Sequence, residues 1–455
     1  MRARAVTTAE QAAELVRASG STHVAVGYVD VDGVIRGKLL ARAKLLGALD
    51  HGLNYCNVVV GWDSADDVYD NVTASGYHTG FPDTEVRVVP ESCRLLPLDG
   101  DRPFFLVEMS GPEARVCPRA TLGRVIERAR SLGFEVSAAF EYELFLFDET
   151  PRSVREKGYR DLRPLAPGPF GYSVLRGSAS AELYEAVLDL CERMGMPLEG
   201  LHEESGPGVM EAAIAVDDGM PAADKAALFK TFMKVLAQRR GAMATFMSRW
   251  STQWPGNGGH IHLSLRDSQG RHAFHDAGRP HAMSDLMRRF LAGQQALMPE
   301  LLAMVAPTVN SYARLVPGQW APTSSSWGVE NRTCALRAIP GSPAAQRIEY
   351  RIAGADANPY LALAAALGSG LWGIERGLEP SEPVVGSAYE APRAVGEPLP
   401  ATLWDAAQAL RGSPAARDLF GEPFVDHFAA TREWEEHAHR RAVTSWELER
   451  YFEVI

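Results

Sequence analysis

Residues 134–147 have the sequence FEVSAAFEYELFLF. Side chains at positions i and i+2 of a β-strand lie on the same face. One face of a strand over this stretch is therefore almost entirely apolar, whereas the other face carries Glu141 and Glu143. Two adjacent carboxylates repel each other unless a cation lies between them. The stretch predicts a long strand that packs one face on a core and turns its acidic face to a ligand or, alternatively, to solvent.

Three other stretches carry polar side chains of catalytic type: HIHLSL at 260–265, RIEYRI at 347–352 and HEESGPGVMEAAI at 202–214. In the first two, the polar and apolar side chains fall on opposite faces of a strand. In the third, glutamates flank a Gly-Pro-Gly turn. A single strand of this kind is typical of a solvated edge, but four of them indicate a sheet whose second face lines a cavity. The polar residues are His260, His262, Ser264, Arg347, Glu349, Arg351, Glu203, Glu204 and Glu211.

These side chains include the donors that hard divalent cations prefer. Carboxylate oxygens with an imidazole suit Mg²⁺ or Mn²⁺, not a zinc site built from thiolates. Arginines next to two such ions are typical of phosphoryl transfer, in which they neutralise charge on the transferred group. The candidate metal ligands are Glu141, Glu143, Glu204, Glu211, His260 and Glu349, and the candidate arginines are Arg314, Arg332, Arg337, Arg347 and Arg351.

The composition of the 455-residue chain is that of an ordinary globular protein, with 46% apolar and 23% charged residues. Its net charge of −11 argues against nucleic acid or an anionic membrane as the main partner. The five cysteines are far apart and form no CxxC motif, so neither a disulfide framework nor a zinc knuckle is predicted. The N-terminal residues contain no apolar signal segment, and the most apolar stretch, 359–374, is too short to span a bilayer. We therefore expect a cytoplasmic protein.

The element pattern predicts an α+β fold in two domains that divide near residue 112. The first part is predicted to be mostly β, with a hairpin that turns at Asp32-Gly33 and a short strand over 55–60. The rest alternates helices with strands, ends in a helix over 426–451 and has an irregular stretch after residue 304. A GxGxxG match at 368–373 lies late in a helical pattern with no strand before it, so it is not a dinucleotide fingerprint.

The order of these motifs resembles the glutamine synthetase family. The resemblance covers most of the chain and is strongest from 134 to 376. The motifs that carry it are FEYELFLF (140–147), ESGPGVME (204–211), NGGHIHLSL (257–265), NSYARLVPGQWAP (310–322), ENRTCALRAIP (330–340) and RIEYRIAGADANPYLALAAAL (347–367).

The resemblance implies an ATP-dependent ligase that activates the γ-carboxylate of glutamate as γ-glutamyl phosphate. It also implies a small N-terminal β-grasp-like domain over residues 1–112 and a catalytic domain over 113–455, whose curved antiparallel sheet lines the active site. Members of this family are usually homo-oligomers, most often dodecamers of two stacked hexameric rings. Their active sites lie between the N-terminal domain of one subunit and the catalytic domain of the next.

The resemblance also implies a role for each candidate residue. A first Mg²⁺ or Mn²⁺ ion is held by Glu143, Glu204 and Glu211, and a second ion, which faces the phosphates of ATP, by Glu141, His260 and Glu349. Arg332 is the residue that stabilises the transferred phosphoryl group. The nucleotide-contacting positions are His262, Ser264, Arg337 and Arg347, and the glutamate-binding positions are Asn257, Gly258, Arg314 and Arg351.

The sequence departs from the family pattern where ammonium binds. Trp320, in PGQWAP, stands at the flap position where a true glutamine synthetase has a glutamate that helps to take a proton from ammonium. The glycine loop before the first histidine is shortened to NGGH, and the N-terminal ammonium motif is reduced to WDSA at 62–65. Asp63 of a neighbouring subunit, with Asp66 and Asp67 as alternatives, is the acid that we expect to orient or deprotonate the acceptor.

We therefore expect a ligase that joins glutamate to an organic primary amine, with ethanolamine or a polyamine favoured and alkyl or aryl amines next. An ammonia-using glutamine synthetase with a rebuilt ammonium site is the first alternative. A non-catalytic regulatory homologue is the second, although clustered carboxylates without a metal destabilise a fold. A guanidino kinase of related fold is more distant, because it would not need the NGGHIH and flap segments.

Overall fold

The computed structural model describes residues 5–390 and 396–455, which have an α+β fold built on two sheets. Its N-terminal elements are α1 (Ala9–Ala18), β1 (His23–Val29), β2 (Ile35–Ala41), α2 (Arg42–His51), β3 (Leu53–Cys56), β4 (Asp83–Val88), β5 (Arg94–Leu96) and β6 (Arg102–Met109). The strands form a six-stranded sheet in the order β2-β1-β6-β4-β3, with β5 paired to β6. The strands β1 and β2 are the predicted antiparallel hairpin, and β1 pairs in parallel with β6.

The second sheet has nine strands in the described part of the chain. They are β7 (Phe134–Phe147), β8 (Leu198–Glu203), β9 (Val209–Ile214), β10 (Asp217–Asp218), β11 (Met243–Thr245), β12 (Gly259–Asp267), β13 (Trp327–Val329), β14 (Leu336–Ile339) and β15 (Arg347–Tyr350). Their order is β13-β14-β15-β12-β7-β9-β8, and β10 and β11 also pair with β7. Except for the parallel pair β13–β14, the strands are antiparallel.

Helices cover the apolar face of this sheet and extend beyond it. They are α3 (Pro118–Ser131), α4 (Pro151–Glu156), α5 (Val174–Ala179), α6 (Ala181–Arg193), α7 (Gly219–Arg239), α8 (Asp285–Val305), α9 (Val309–Arg314), α10 (Pro359–Arg376), α11 (Leu403–Gly412), α12 (Pro414–Phe420), α13 (Glu422–Arg441) and α14 (Ser445–Tyr451). Among the described residues, no helix is both long enough and apolar enough to cross a bilayer. All five cysteines are free thiols.

The central strand β7 has the two faces that its sequence predicts. Phe140, Tyr142 and the other apolar side chains of one face are buried, and the Tyr142 ring stacks on Phe229 of α7 at 6.1 Å between centroids. Glu141 and Glu143 lie on the opposite face and are partly exposed. Because the helices fix the apolar face, the polar side chains of the sheet point together to its other side.

The helices α8 and α10 pack very closely, and the GxGxxG match serves this packing. A Cβ atom at Gly373 would lie 2.2 Å from the Arg289 carbonyl oxygen and 2.6 Å from Gly293. A Cβ atom at Gly370 would lie 2.3 Å from the Phe290 ring. Any larger side chain would separate the two helices, so the glycines are used for close approach.

Buried polar contacts connect the two sheets. Arg119 of α3 donates to Glu108 of β6 and, at 3.0 and 3.1 Å, to Asp224 of α7. Asn358, which caps α10, donates from its side-chain amide to the Asp30 carbonyl oxygen at 2.8 Å. The division near residue 112 falls between β6 and α3, and the assignment of two domains stays a prediction.

Several sequence-based assignments were wrong in extent. The strand predicted over 55–60 ends at Cys56, because the next residue, Asn57, is buried with its side chain bonded to Ser75 and Glu113. The helix predicted over 426–451 is two helices, because Thr444 caps a new one through the Glu447 N–H. The stretch after 304 contains α9, β13 and β14, which are too short to show a period in the sequence.

Candidate active site

The polar face of the larger sheet lines a cleft of about 470 Å³. Six of its strands contribute side chains, together with neighbouring loops and the last residue of α9. Most of the residues that the sequence predicts to act together lie in this cleft. They are Glu141, Glu143, Glu204, Glu211, His260, His262, Arg314, Trp320, Arg332, Arg337, Arg347, Glu349 and Arg351.

The register of the strands places the charged side chains next to one another. Residues that face each other across antiparallel strands have Cβ atoms about 4.5–5.5 Å apart, so their side chains converge. The cross-strand pairs in the cleft are Glu141 with His260, Glu349 with His262, Glu349 with Arg337, Glu143 with Glu211, and Glu211 with His202.

The first group of metal-type donors is formed by Glu141, His262 and Glu349, whose ligand atoms lie within 4.8 Å of one another. The distance from His262 Nε2 to Glu141 Oε1 is 3.1 Å. His260 Nδ1 lies 3.4 Å from Glu349 Oε1 and 3.9 Å from Glu141 Oε2. Burial would raise the pKa of Glu141, but hydrogen bonds from the two histidines lower that pKa below its usual range. Both imidazoles are therefore within reach of the same pair of carboxylates.

Glu349 is the most enclosed carboxylate of the cleft, with 1% of the residue exposed. It accepts hydrogen bonds from Arg351 Nη1 at 2.5 Å and from Arg337 Nη1 at 3.0 Å. Burial would raise the pKa of this carboxyl, but Arg351 and the two histidines outweigh burial and lower the pKa to about 2. Glu349 is thus an anion at neutral pH, held in place from two sides.

The second group of donors is formed by His202, Glu204 and Glu211, again with ligand atoms within 4.8 Å. His202 Nε2 lies 3.6 Å from Glu211 Oε1, and His202 Nδ1 lies 3.9 Å from Glu204 Oε1. The hydrogen bond to Glu211 raises the pKa of His202 to about 8 against the opposing effect of burial. His202 is not among the site residues predicted from the sequence. Its position opposite Glu211 across the Gly-Pro-Gly hairpin is the signal from which it was predictable.

Glu143 lies between the two groups and belongs to neither cluster of closest donors. Its Oε2 accepts a hydrogen bond from the Gly258 N–H. Burial and the neighbouring Glu211 raise the pKa of Glu143, against the attraction of His260. Two adjacent carboxylates of this kind are the environment in which a divalent cation stabilises both charges.

The residues present fit bound divalent cations. Each group combines carboxylate oxygens with imidazole, and none of the donors is a thiolate, which suits Mg²⁺ or Mn²⁺. The candidates to hold these ions are Glu141, His260, His262 and Glu349 on one side, and Glu143, Glu204, Glu211 and His202 on the other. Such ions, when bound, polarise phosphoryl oxygens and neutralise their charge.

Several arginines line the cleft beside the donor groups. Arg347 Nε lies 3.0 Å from His262 Nδ1 and orients that ring. Arg332 is exposed on the cleft wall. Arg314 is buried, and its two terminal nitrogens donate to the Ile352 and Arg351 carbonyl oxygens at 3.0 and 3.2 Å. The cleft therefore has a strongly cationic wall, which suits anionic substrates.

A second cavity of about 270 Å³ adjoins the cleft and shares Glu141, His262 and Arg347 with it. Ser264 lines this cavity and not the first one. The shared residues sit at the border between the two spaces. An elongated ligand that entered both cavities would pass the first donor group.

Asn257 lies at the bend that leads into β12. Its side chain is buried and donates to the Met247 carbonyl oxygen at 2.9 Å, so it points away from the cleft. Gly258 donates its N–H to Glu143. Pro255 and Gly256 form the cleft wall at this bend. The backbone N–H of Asn257 donates to the Ser248 carbonyl oxygen, and a role of Asn257 and Gly258 in glutamate binding stays a prediction.

Asp63 does not line the cleft of its own chain among the described residues. Its Oδ1 accepts the backbone N–H groups of Ala65 and Asp67 at 2.8 and 2.9 Å. Arg36 donates to the Asp63 carbonyl oxygen at 2.7 Å and pairs with Asp66. These contacts give the loop a defined shape, and the role of Asp63 toward a neighbouring subunit stays a prediction.

Two aromatic residues stand at the open side of the cleft. Trp320 is 59% exposed and Tyr172 is 70% exposed. The Tyr172 ring stacks on His202 with centroids 4.5 Å apart. Tyr172 comes from the loop between α4 and α5, for which the sequence predicted no role.

Comparison with known proteins agrees with this geometry. The catalytic-domain model of glutamine synthetase matches residues 115–451. The chain is 41% identical over 446 residues to type-1 glutamine synthetase 2 of Dictyostelium discoideum, covering 97% of this chain and 85% of that protein. It is 38% identical over 439 residues to glutamate–isopropylamine ligase of a Pseudomonas species, covering 95% of each.

The solved structure of GmaS without ligand superimposes with a TM-score of 0.84 at 25% identity, covering 97% of this chain and 99% of that one. The family model matches far more than half of the chain, and it includes every strand that lines the cleft. The chain therefore belongs to the glutamine synthetase family and is an ATP-dependent carbon–nitrogen ligase.

Proposed function

We propose that this ligase joins the γ-carboxylate of glutamate to an organic primary amine. A carboxylate oxygen of glutamate attacks the γ-phosphorus of ATP, and ADP leaves. The amine nitrogen then attacks the acyl carbon of γ-glutamyl phosphate, inorganic phosphate leaves, and a base takes the proton from nitrogen. One observation carries the choice of acceptor: the cleft keeps its carboxylates, histidines and arginines but presents the indole of Trp320 at its open side.

The Trp320 indole affects the choice of acceptor because ammonium and an organic amine need different binding groups. Ammonium is small and needs a carboxylate that binds it closely and takes its proton. An indole ring accepts no proton, but it offers an apolar surface and a cation–π contact to a larger amine. The similarity to glutamate–isopropylamine ligase supports the same choice.

The cationic wall of the cleft supports the binding of glutamate and phosphate. Arg351 Nε is buried and has no hydrogen-bond partner among the described residues, so one donor remains for an anionic ligand. In the described part of the chain, Arg332 makes no backbone hydrogen bond of the kind that holds Arg314, and we propose that it stabilises the transferred phosphoryl group. The second cavity, with Ser264 and Arg347, is proposed to receive the nucleotide.

The test is an assay of phosphate release from ATP with glutamate and a panel of primary amines, ammonium included. The amide product is identified by mass spectrometry. An organic amine is expected to exceed ammonium in kcat/KM by about tenfold or more. If ammonium proves to be the best acceptor, the protein is a divergent glutamine synthetase, the alternative that the Dictyostelium relative favours.

We further propose that the protein is a homo-oligomer, with a dodecamer expected, in which Asp63 of one subunit serves the cleft of the next. Both backbone hydrogen bonds that the loop makes to the Asp63 carboxylate go to Oδ1, and within residues 5–390 and 396–455 Oδ2 accepts none. The variants Asp63→Asn and Arg332→Ala are each expected to be nearly inactive. Mixed oligomers reassembled from both variants are expected to recover activity, because some clefts then combine two intact halves. Recovery would be absent if each cleft used residues of one chain only.

A further inference from the structure

We infer that the acceptor is a primary monoamine with an apolar substituent, bound between the rings of Trp320 and Tyr172. The inference deepens the proposed function and rests on it. It is narrower than the sequence-based preference for ethanolamine or a polyamine, and three features of the cleft support it.

The first feature is the pair of exposed rings. Large aromatic side chains that stay solvent-exposed on a cleft wall are typical of a surface that a ligand covers. Trp320 and Tyr172 are 59% and 70% exposed, and both line the same cleft. Phe145 and Val209 extend the apolar wall behind them.

The second feature is the backbone that holds these rings. Trp320 has a φ of 59° and Tyr172 a φ of 55°, a left-handed conformation that bulky residues rarely adopt. A hydrogen bond at or next to each residue holds its backbone in place. The Tyr172 N–H donates to the Glu203 carbonyl oxygen at 2.8 Å, and Tyr389 donates to the Ala321 carbonyl oxygen at 3.2 Å. Non-glycine residues held in this conformation cluster at ligand-binding sites.

The third feature is the charge around the cleft. Each carboxylate that lines it in the described chain already has a partner of its own: histidines for Glu141, arginines for Glu349, His202 for Glu204 and Glu211, and the Gly258 N–H for Glu143. The remaining charged side chains of the lining are arginines and histidines. Within this chain, a second ammonium group on the acceptor would therefore meet cations and no unpartnered anion. The acid proposed to come from the neighbouring subunit, Asp63, is already assigned to the reacting nitrogen.

The test compares butylamine with 1,4-diaminobutane, which share a carbon chain and differ only in the second ammonium group. With the full-length protein, ATP and glutamate, the kcat/KM for butylamine is expected to exceed that for the diamine by about tenfold or more. The variants Trp320→Ala and Tyr172→Ala are expected to raise the KM for butylamine while they leave the KM for glutamate nearly unchanged.

Two variants serve as controls. Tyr172→Phe keeps the ring and is expected to keep the preference for butylamine. Tyr159→Ala removes another exposed tyrosine with a left-handed φ of 60°, but Tyr159 lies outside the cleft lining, so kinetics are expected to be unchanged. Thermal unfolding of every variant verifies that the fold is retained.

The outcomes separate this inference from the function on which it rests. Equal or better use of the diamine, with both amines still preferred over ammonium, overturns the monoamine inference and leaves the proposed function intact. An unchanged KM for butylamine in both alanine variants shows that the Trp320 and Tyr172 rings do not bind the acceptor. Preference for ammonium over every amine, or no amide product at all, overturns the proposed function and the inference together.

Discussion

The substitution Glu349→Gln tests the electrostatics of the cleft most directly. It keeps the size of the side chain and removes its charge. The ordinary pKa of this carboxyl is 4.5, and in the folded protein it is about 2. Since one pKa unit corresponds to about 1.4 kcal/mol, the ionised form of Glu349 contributes about 3 kcal/mol to the free energy of unfolding.

The pH dependence has a defined sign. The pKa is lower in the folded chain than in the unfolded chain, so the folded chain binds fewer protons in the range between them. The contribution of Glu349 is therefore fully present above a pH of about 4.5 and is lost as the pH falls toward about 2. The difference between wild type and Glu349→Gln is expected to be largest at neutral pH and to shrink below a pH of about 4.5.

The assay is urea unfolding at pH 7 with a chelator present, so that bound metal does not contribute. The matched control is Glu330→Gln, which removes another carboxylate partner of Arg337. Glu330 is half exposed, and Arg337 Nε donates to it at 2.9 Å. An exposed pair of this kind contributes about 0–1 kcal/mol. If both variants lose an equal and small free energy of unfolding, burial and two arginines do not make Glu349 more stabilising than the exposed Glu330.

Metal binding gives an independent measurement on the same variant. Titration calorimetry with Mn²⁺ is expected to show that Glu349→Gln loses high-affinity binding, whereas Glu330→Gln keeps it. The physical reason is that Glu349 offers a charged oxygen beside Glu141 and His262, whereas Glu330 lies outside the cleft lining. Unchanged Mn²⁺ affinity in Glu349→Gln would exclude this carboxylate as a ligand.

Three further changes test other parts of the cleft. Arg332→Ala is expected to lower kcat far more than it alters the KM for glutamate, because its charge acts on the phosphoryl group as that group transfers; steady-state kinetics measure this. Trp320→Glu is expected to reduce the ratio of kcat/KM for the best organic amine to that for ammonium, chiefly by lowering kcat/KM for the organic amine. An unchanged ratio in the amine panel would contradict a role of the Trp320 indole in acceptor choice. His202→Gln is expected to weaken Mn²⁺ binding, because the imidazole lies beside Glu204 and Glu211. Electron paramagnetic resonance on the protein without nucleotide measures this binding. If Mn²⁺ affinity is unchanged, the role of His202 is limited to stacking on the Tyr172 ring.

The polar and apolar faces of the main strands can be predicted from the amino-acid sequence alone. Alternation in 134–147 is a local property, because the geometry of an extended backbone fixes which side chains share a face. It placed Glu141 and Glu143 on one side of β7, where the structure has them. The motif order identified the family, and the charged residues it singled out in β12 and β15 converge in one cleft. These features depend on neighbours in the chain, so they are readable without a structure.

Which of those residues lie in contact, and which further residues lie beside them, depends on the folded chain. Strand register is a non-local property, set by turns and by the fit of the core. It placed His202 directly opposite Glu211, a pairing that depends on the exact register of the β8–β9 hairpin. Loop conformation is equally non-local. The Asn257 N–H donates to the Ser248 carbonyl oxygen, and the Asn257 side chain points inward; the Tyr172 N–H donates to the Glu203 carbonyl oxygen, and Tyr172 lies at the cleft. Sequence fixes a side chain to a face of its strand, but only folding determines which side chains face it across the cleft.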